Sequence, residues 1–225
     1  MSERHPAPAP SAPSARSSAL RTAAILLTYV VIFTGILAAA EQWTRPAIEA
    51  SRTAEKMKFI NEVLPAKNYD NDLLADTLSL PPTPELGLKS ESRVYRARLG
   101  GKPAALVLEA VAPDGYAGDI RLILGITAEG TITGVRVAEH RETPGLGDYI
   151  DLKKDRNKAR PWIRQFDGLN YPQVPDGEWK VKKDKGRFDS HTGATVSPRA
   201  VIAAVHRAAQ FVSAHKDALF EERAK

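Results

Sequence analysis

The chain has 225 residues, enough for one medium-sized domain with accessory segments but short for two full domains. It contains no cysteine, which excludes disulfides, thiolate metal sites and cysteine nucleophiles. Its 32 basic and 27 acidic residues leave a formal net charge of +5 with the two signs interspersed, so nothing marks a nucleic-acid partner.

Residues 1–20 are rich in Pro, Ala and Ser and read as a disordered tail with little to bury. From Thr22 to Ala40 no charge interrupts the chain, and a helix over that run spans roughly 28 Å, about a hydrocarbon core. A transmembrane helix is therefore expected over 21–41. A cleaved signal peptide and a buried core helix are the alternatives, and the apolar run exceeds the usual signal length. Arg4, Arg16 and Arg21 precede the span against Glu3 alone, which puts the tail in the cytoplasm and the remainder across the membrane, in the periplasm of a Gram-negative cell. The expected location is thus the inner membrane, single-pass, with the C-terminal domain periplasmic. Residues 42–93 read as a connecting segment: a helix with Pro46 near its start and Pro65 at its end, then a polar stretch with a short helix around Asp72 to Leu78.

Strand character begins near Val94 and defines a domain over 94–225. Residues 95–99 alternate, Gly100-Gly101 signals a hairpin, and Ala104 to Val111 is largely apolar. Further strands are expected over 120–126 and 131–139, giving a meander of four or five antiparallel strands. A turn-forming segment, His140 to Asp148, follows with two glycines and reads as a functional loop. Trp162 to Phe166 should be a short amphipathic piece, Trp179 to Val181 a short strand, and Pro198 to about Phe220 the closing helix, with Ser197 as its N-cap and Pro198 at its first position. The fold class is α+β: a mainly antiparallel sheet with flanking helices behind one transmembrane helix.

Asp189-Ser190-His191-Thr192-Gly193-Ala194-Thr195 leads into that closing helix. A helix start offers unpaired N–H groups and the positive end of the dipole, so a phosphate near Thr195 is favoured there, and the small Gly193 and Ala194 admit close approach. On local chemistry alone an ordinary capped turn remains the simpler reading. No dinucleotide fingerprint or P-loop is present, and Asp189, Ser190 and His191 are too close in sequence for triad geometry. The histidines show no metal-ligand spacing, and His206 and His215 read as polar-face residues of the closing helix. His140, beside Glu142, either polarises a ligand or hydrogen-bonds within its loop. Lys180, Lys182, Lys183 and Lys185 read as a solvated charge run.

Asp-x-x-Thr-Gly-Ala-Thr resembles the site at which periplasmic flavin transferases attach flavin mononucleotide (FMN). The resemblance extends, in order, through Leu64-Pro65, Tyr69-Asp70-Asn71-Asp72, Tyr116 to Ile120, Gly134-Val135, His140 to Gly147, Trp162 to Phe166 and Trp179. Together these are similar to the G subunit of the Rnf ion-translocating electron transport complex. The related C subunit of the sodium-pumping NADH:quinone reductase shares the Glu-Thr-Pro-Gly-Leu-Gly and Thr-Gly-Ala-Thr elements. A membrane-anchored flavin-binding regulatory domain is a further reading.

The resemblance implies an electron carrier within an oxidoreductase, with FMN in phosphoester linkage to Thr195 and no catalytic or metal-ligating residue of its own. Asp189, Thr192, Gly193 and Ala194 would form the phosphate loop. Thr143, Pro144, Gly145, Leu146 and Gly147 would line the ring. The implied partners are the other membrane subunits of the complex and a flavin transferase. Thr192 stands where the family more often has Ser. Lys185 stands where Gly is common, so a positive φ there would carry a cost.

Overall fold

The structure, a computed structural model, describes residues 15–221, so the first part of the expected tail lies outside the described residues. The chain divides into two compact units between Ala54 and Glu55. The first unit is helical and belongs to α1, which runs from Ala15 to Val63. Large apolar side chains from Leu20 to Leu37 are all exposed, the pattern of a helix with no protein around it. Its segment from Ser18 onward is long and apolar enough to cross a membrane. The sequence reading has a separate helix with Pro46 near its start, but a single helix continues through that proline. The ring removes one intrahelical hydrogen bond at a cost of about 3 kcal/mol, which the helix-forming residues on both sides absorb.

The second unit is built on a five-stranded antiparallel sheet in simple sequential order: β1 (Thr77–Leu80), β2 (Ser92–Leu99), β3 (Lys102–Gly115), β4 (Gly118–Thr127) and β5 (Ile132–Glu139). Gly100 and Gly101 both have positive φ, 57° and 74°, as a two-residue hairpin turn between twisted strands requires. The short helix expected around Asp72 to Leu78 is absent. Instead Thr77 to Leu80 pairs with Ser92 to Tyr95, because its alternating Leu78 and Leu80 place one row of side chains on the core. Upstream of it, Asn71 donates to the Arg96 carbonyl (2.9 Å) and accepts from the Arg98 N–H (2.8 Å). Its amide thus extends the edge pairing of β2 where no strand lies.

Period-2 alternation sorts the strands into two buried faces. Leu106, Leu108, Ala110 and Ala112 of β3, with Ile120, Leu122, Leu124 and Ile126 of β4, share a core with Val201, Ala204, Val205, Ala208 and Val212 of α2 (Val196–Ala214). The opposite face carries Tyr95, Ala97, Ala105 and Val107, which pack with Ile60, Val63, Leu64 and Leu73. Burial of each such large apolar side chain contributes roughly 1.5–3 kcal/mol. The closing helix is interrupted at His215, after which α3 (Lys216–Phe220) completes the chain. Arg96 and Arg98 of β2 donate to the carbonyls of Glu221 and Phe220, tying that end to the sheet.

The last turn of α1 sits directly on β4 and β5 because the residues beneath it are Gly125 and Gly134, a cross-strand pair. A Cβ on Gly125 would lie 2.7 Å from the Val63 carbonyl oxygen and 2.3 Å from Thr133 Oγ1. Thr133 Oγ1 donates to that same carbonyl, satisfying one acceptor at the helix end. Arg136 is buried nearby with its Nε 3.6 Å from Glu62. Burial lowers its guanidinium pKa from the ordinary value while Asp167 and Glu62 oppose the shift.

The stretch from 140 to 195 holds only short 3-10 turns, among them Gly147–Ile150, Trp162–Phe166 and Lys182–Asp184. The strand expected over Trp179 to Val181 is reduced to a single bridge, Val181 to Phe188. Aromatic packing orders this half. Ring contacts run from His191 to Tyr149, Trp162, Phe166, Phe188 and Trp179, with centroid separations of 3.9, 5.8, 5.6, 4.8 and 5.6 Å.

Replacing Gly125 with alanine forces either Thr133 or the α1 end to move. It is expected to lower the unfolding free energy of the full chain by about 1–3 kcal/mol in chemical denaturation. Gly177→Ala, where nothing lies within 4 Å, is expected to stay within about 0.5 kcal/mol.

Candidate functional site

α2 begins at Val196, two residues earlier than the sequence suggests, with Thr195 at the N-cap position (φ −103°, ψ −11°). The Thr195 carbonyl accepts the first helical bond, from Arg199 (3.2 Å), while its hydroxyl makes no capping bond. Ser197, the expected cap, is instead 2% exposed and donates to Glu142 Oε2. Pro198 is tolerated at the third helical position because N–H groups of the first turn have no intrahelical acceptor.

The turn ahead of Thr195 is held from behind by Tyr149. Its hydroxyl donates to the Ala194 carbonyl (2.8 Å) and accepts from the His191 N–H (3.1 Å), and its ring stacks on His191. Gly193 takes φ 83° at the crest, with no neighbour within 4 Å to resist the approach of another group. Trp162 Nε1 donates to the Asp189 carbonyl, Gln165 accepts from the Asp189 N–H (2.7 Å), and Lys182 pairs with the Asp189 carboxylate at 2.6 Å. Burial pushes the Tyr149 hydroxyl up from its ordinary pKa, and the His191 N–H pulls part of the way back.

The second wall is the loop after β5. Leu146 and Gly147 donate their N–H groups to the Thr143 carbonyl, and Gly145, at φ 77°, donates to Asp148 (2.8 Å). Behind it lies Glu142, 4% exposed. Its Oε1 accepts from the Ala117 N–H (3.1 Å) in the β3–β4 turn, and its Oε2 accepts from Ser197. A Cβ on Gly147 would lie 2.5 Å from Ser197 Oγ and 2.7 Å from Glu142 Oε2, and one on Gly115 would lie 2.8 Å from Glu142 Oε1. Both glycines therefore leave room for the carboxylate. One side chain joins the three segments that surround the pocket.

That pocket, about 170 Å³, is lined by Thr143, Leu146, Gly147, Gly193, Ala194 and Thr195, together with Tyr116, Glu142, Val196 and Ser197. Tyr116, Leu146 and Val196 are 72%, 57% and 44% exposed, so three exposed apolar side chains gather on one rim. Of the residues singled out in the sequence, the lining includes neither Pro144, Gly145, Asp189 nor Thr192. Asp189 instead borders an adjoining open cleft. Sequence reasoning missed Glu142 and Tyr149 as site-builders, since neither carries a spacing that reveals its burial. Tyr116 stood in a family-like segment without a role.

The remaining polar candidates have partners of their own. His140 Nδ1 accepts from the Glu142 N–H (3.1 Å), which is the within-loop alternative. His206 is no simple surface residue: it stacks on Trp179 with ring planes 7° apart and contacts Asp176 at 2.9 Å. His215 contacts the Phe211 carbonyl of its own helix. Lys185 has φ 62°, the left-handed conformation that favours glycine. Among the described residues no cluster of His, Asp and Glu is arranged to hold a metal ion.

Residues 115–210, which hold both loops and the helix start that line the pocket, match a family model described as an FMN-binding domain. A relative from Pseudomonas aeruginosa, the G subunit of an ion-translocating oxidoreductase complex, is 41% identical over 204 residues, covering 91% of this chain and 93% of its own. The corresponding G subunits of Escherichia coli O157:H7 and Vibrio cholerae are 47% identical over 175 residues and 39% over 198, covering 78% and 88% of this chain and 82% and 92% of theirs. The chain belongs to this family, the G subunits of ion-translocating oxidoreductase complexes. A crystal structure of Shewanella oneidensis NqrC is 24% identical, with a TM-score of 0.41 over 61% of this chain and 67% of that one.

Glu142→Ala strands the Ser197 hydroxyl and the Ala117 N–H, and is expected to cost about 1–3 kcal/mol in denaturant unfolding, with Glu142→Gln costing less. Tyr149 has a raised folded-state pKa, so its contribution to stability is present below the unfolded value of about 10 and is lost as the pH climbs through the folded value. Burial also raises Tyr95, so ultraviolet titration is expected to show late-ionising tyrosines and to lose one of them in Tyr149→Phe. An unchanged titration curve would contradict this assignment.

Proposed function

We propose that the chain is the electron-relaying flavoprotein subunit of its complex, carrying FMN through a phosphoester to Thr195. The observation that carries the reading is the Thr195 hydroxyl: it makes no cap bond at the start of α2, and its residue lines the pocket with the exposed apolar rim. The residues present fit the group. Unpaired N–H groups of the first helical turn and the positive end of the α2 dipole suit a phosphodiester. Gly193 leaves the approach open, and Tyr149 fixes the carbonyl of Ala194 so that the turn keeps its shape. Tyr116, Leu146 and Val196 offer apolar surface to a flat ring system.

At about 170 Å³ the pocket is smaller than the roughly 300–1,000 Å³ of an engulfing ligand site. A shallow cradle suits a covalently tethered carrier, since the bond replaces enclosure in preventing loss and an exposed ring edge remains within a partner's reach. When bound, the isoalloxazine supplies reversible electron uptake, and the protein supplies position and electrostatics. Thr143 and Gly147 form the floor beside Glu142. Gly145 shapes the loop through its positive φ, and Pro144 restricts Thr143. Asp189 and Thr192 lie outside the pocket lining and belong to the turn that a flavin transferase would engage before transfer.

α1 serves as a single membrane anchor in the inner membrane, with the short basic tail cytoplasmic and the FMN-binding domain periplasmic, as the flanking charge supports. The other membrane subunits of the complex supply and accept the electrons.

Protein co-expressed with a flavin transferase is expected to show a fluorescent flavin band after denaturing electrophoresis. The band should vanish in Thr195→Val and persist in Thr192→Val. A wild-type chain with no band, or a band that survives Thr195→Val, refutes the linkage.

A further inference from the structure

The segment between the 3-10 turns Gly147–Ile150 and Trp162–Phe166 carries Lys153, Lys154, Arg156, Lys158 and Arg160, all exposed. None of the five enters an ion pair among the described residues. The two carboxylates of the same segment face inward to shape it. Asp155, 1% exposed, accepts from the N–H groups of Asn157 (2.8 Å) and Trp162 (2.6 Å), and Asp151 accepts from the N–H of Lys153 (2.9 Å). The fold thus uses the negative charge internally and leaves the positive charge on the surface.

This surface abuts the flavin pocket. Arg156 Nη2 lies 3.4 Å from where a Cβ on Gly145 would stand, so it rests against the 143–147 loop. Asn157, Arg160 and Arg164 line an open cleft of about 740 Å³, together with Asp189 and His191 from the turn that precedes Thr195. Two of the cleft's carboxylates are already engaged, Asp155 by backbone donors and Asp189 by Lys182, while at Asp167 burial raises the carboxyl pKa against the opposing charges of Arg136 and Arg164.

We propose that the 153–164 loop and its cleft dock an acidic face of a neighbouring subunit of the complex, bringing that partner against the rim of the flavin pocket. The inference rests on the reading of the 143–147 and 193–197 loops as the flavin site. A protein partner fits better than a lipid surface for two reasons. A membrane-binding loop intersperses its cations with exposed large apolar side chains, and this loop has none. Arg160 of the loop and the neighbouring Arg164 also line a concavity, which takes a protruding carboxylate, rather than a plane. Complementary charge at such a site speeds encounter and fixes orientation, and it weakens as salt screens it beyond about 8–10 Å.

The test uses the tagged full chain in the detergent-solubilised complex. Retention of the other subunits is measured across a salt series for wild type, for Arg156→Glu/Lys158→Glu/Arg160→Glu, and for a control reversal at Lys102→Glu/Lys216→Glu. The loop variant is expected to retain the partners about tenfold less well at moderate salt, with the control like wild type. Should the reversal reduce thermal stability, Arg156→Gln/Lys158→Gln/Arg160→Gln decides the matter, with partial loss expected. Wild-type retention by both loop variants overturns the proposal. So does a loss of binding to phosphatidylglycerol vesicles while the complex stays intact. The denaturing flavin band is read in parallel: its absence from wild type defeats the Thr195 linkage alone, whereas normal bands with normal retention defeat the docking surface alone.

Discussion

A carboxylate taken almost wholly out of water must have its lone pairs met by donors, and Glu142 finds them in two distant parts of the chain. The Ala117 N–H belongs to the β3–β4 turn and the Ser197 hydroxyl to the first turn of α2, while Glu142 itself opens the loop after β5. These are the three walls of the pocket. Their spacing is set by hydrogen bonds to one side chain, and two glycines, Gly115 and Gly147, are required because the carboxylate occupies the space their Cβ atoms would need. The helix boundary follows from the same contact, since Ser197 turned toward Glu142 is not available to cap α2.

Much of the sheet was legible because alternation is a local signal. The β2–β3 hairpin, β4 and β5 could be read from period-2 patterning and from Gly100-Gly101. β1 was not, because four residues between polar and proline-rich stretches carry too little pattern, and the strand exists only through pairing with β2. The 3-10 turns of the second half are likewise tertiary products, held by rings that meet across long sequence gaps, such as Phe166 with Phe188. Continuity of α1 through Pro46 shows local propensity yielding to the helix on both sides.

The site divides in the same way. The loops at 143–147 and 189–195 stood out through resemblance, and the geometry joins Thr143, Leu146, Gly147, Gly193, Ala194 and Thr195 in one pocket while leaving Asp189 and Thr192 to one side. Glu142 and Tyr149 were invisible as builders, because what makes them so is burial and the partners reached by folding. Lys185 is a different case. The sequence flagged that lysine would be costly if the turn needed positive φ, and the backbone there is left-handed. The Lys-rich turn also contributes more than solvated charge, since Lys182 is tied to Asp189.

The absence of a side-chain cap at Thr195 has an energetic side. Good N-cap side chains commonly contribute about 0.5–2 kcal/mol to a helix, and α2 forgoes that contribution at the end nearest the pocket. The helix start is therefore held from the flanks, by Glu142 through Ser197 and by Tyr149 through Ala194, and its own donors remain available to an anion. Any phosphate that settles there stabilises the folded chain by the free energy with which it binds, so ligand occupancy and helix integrity are thermodynamically linked. On the proposed Thr195 linkage, the flavin-bearing form would therefore resist fraying at the start of α2 more than the empty one.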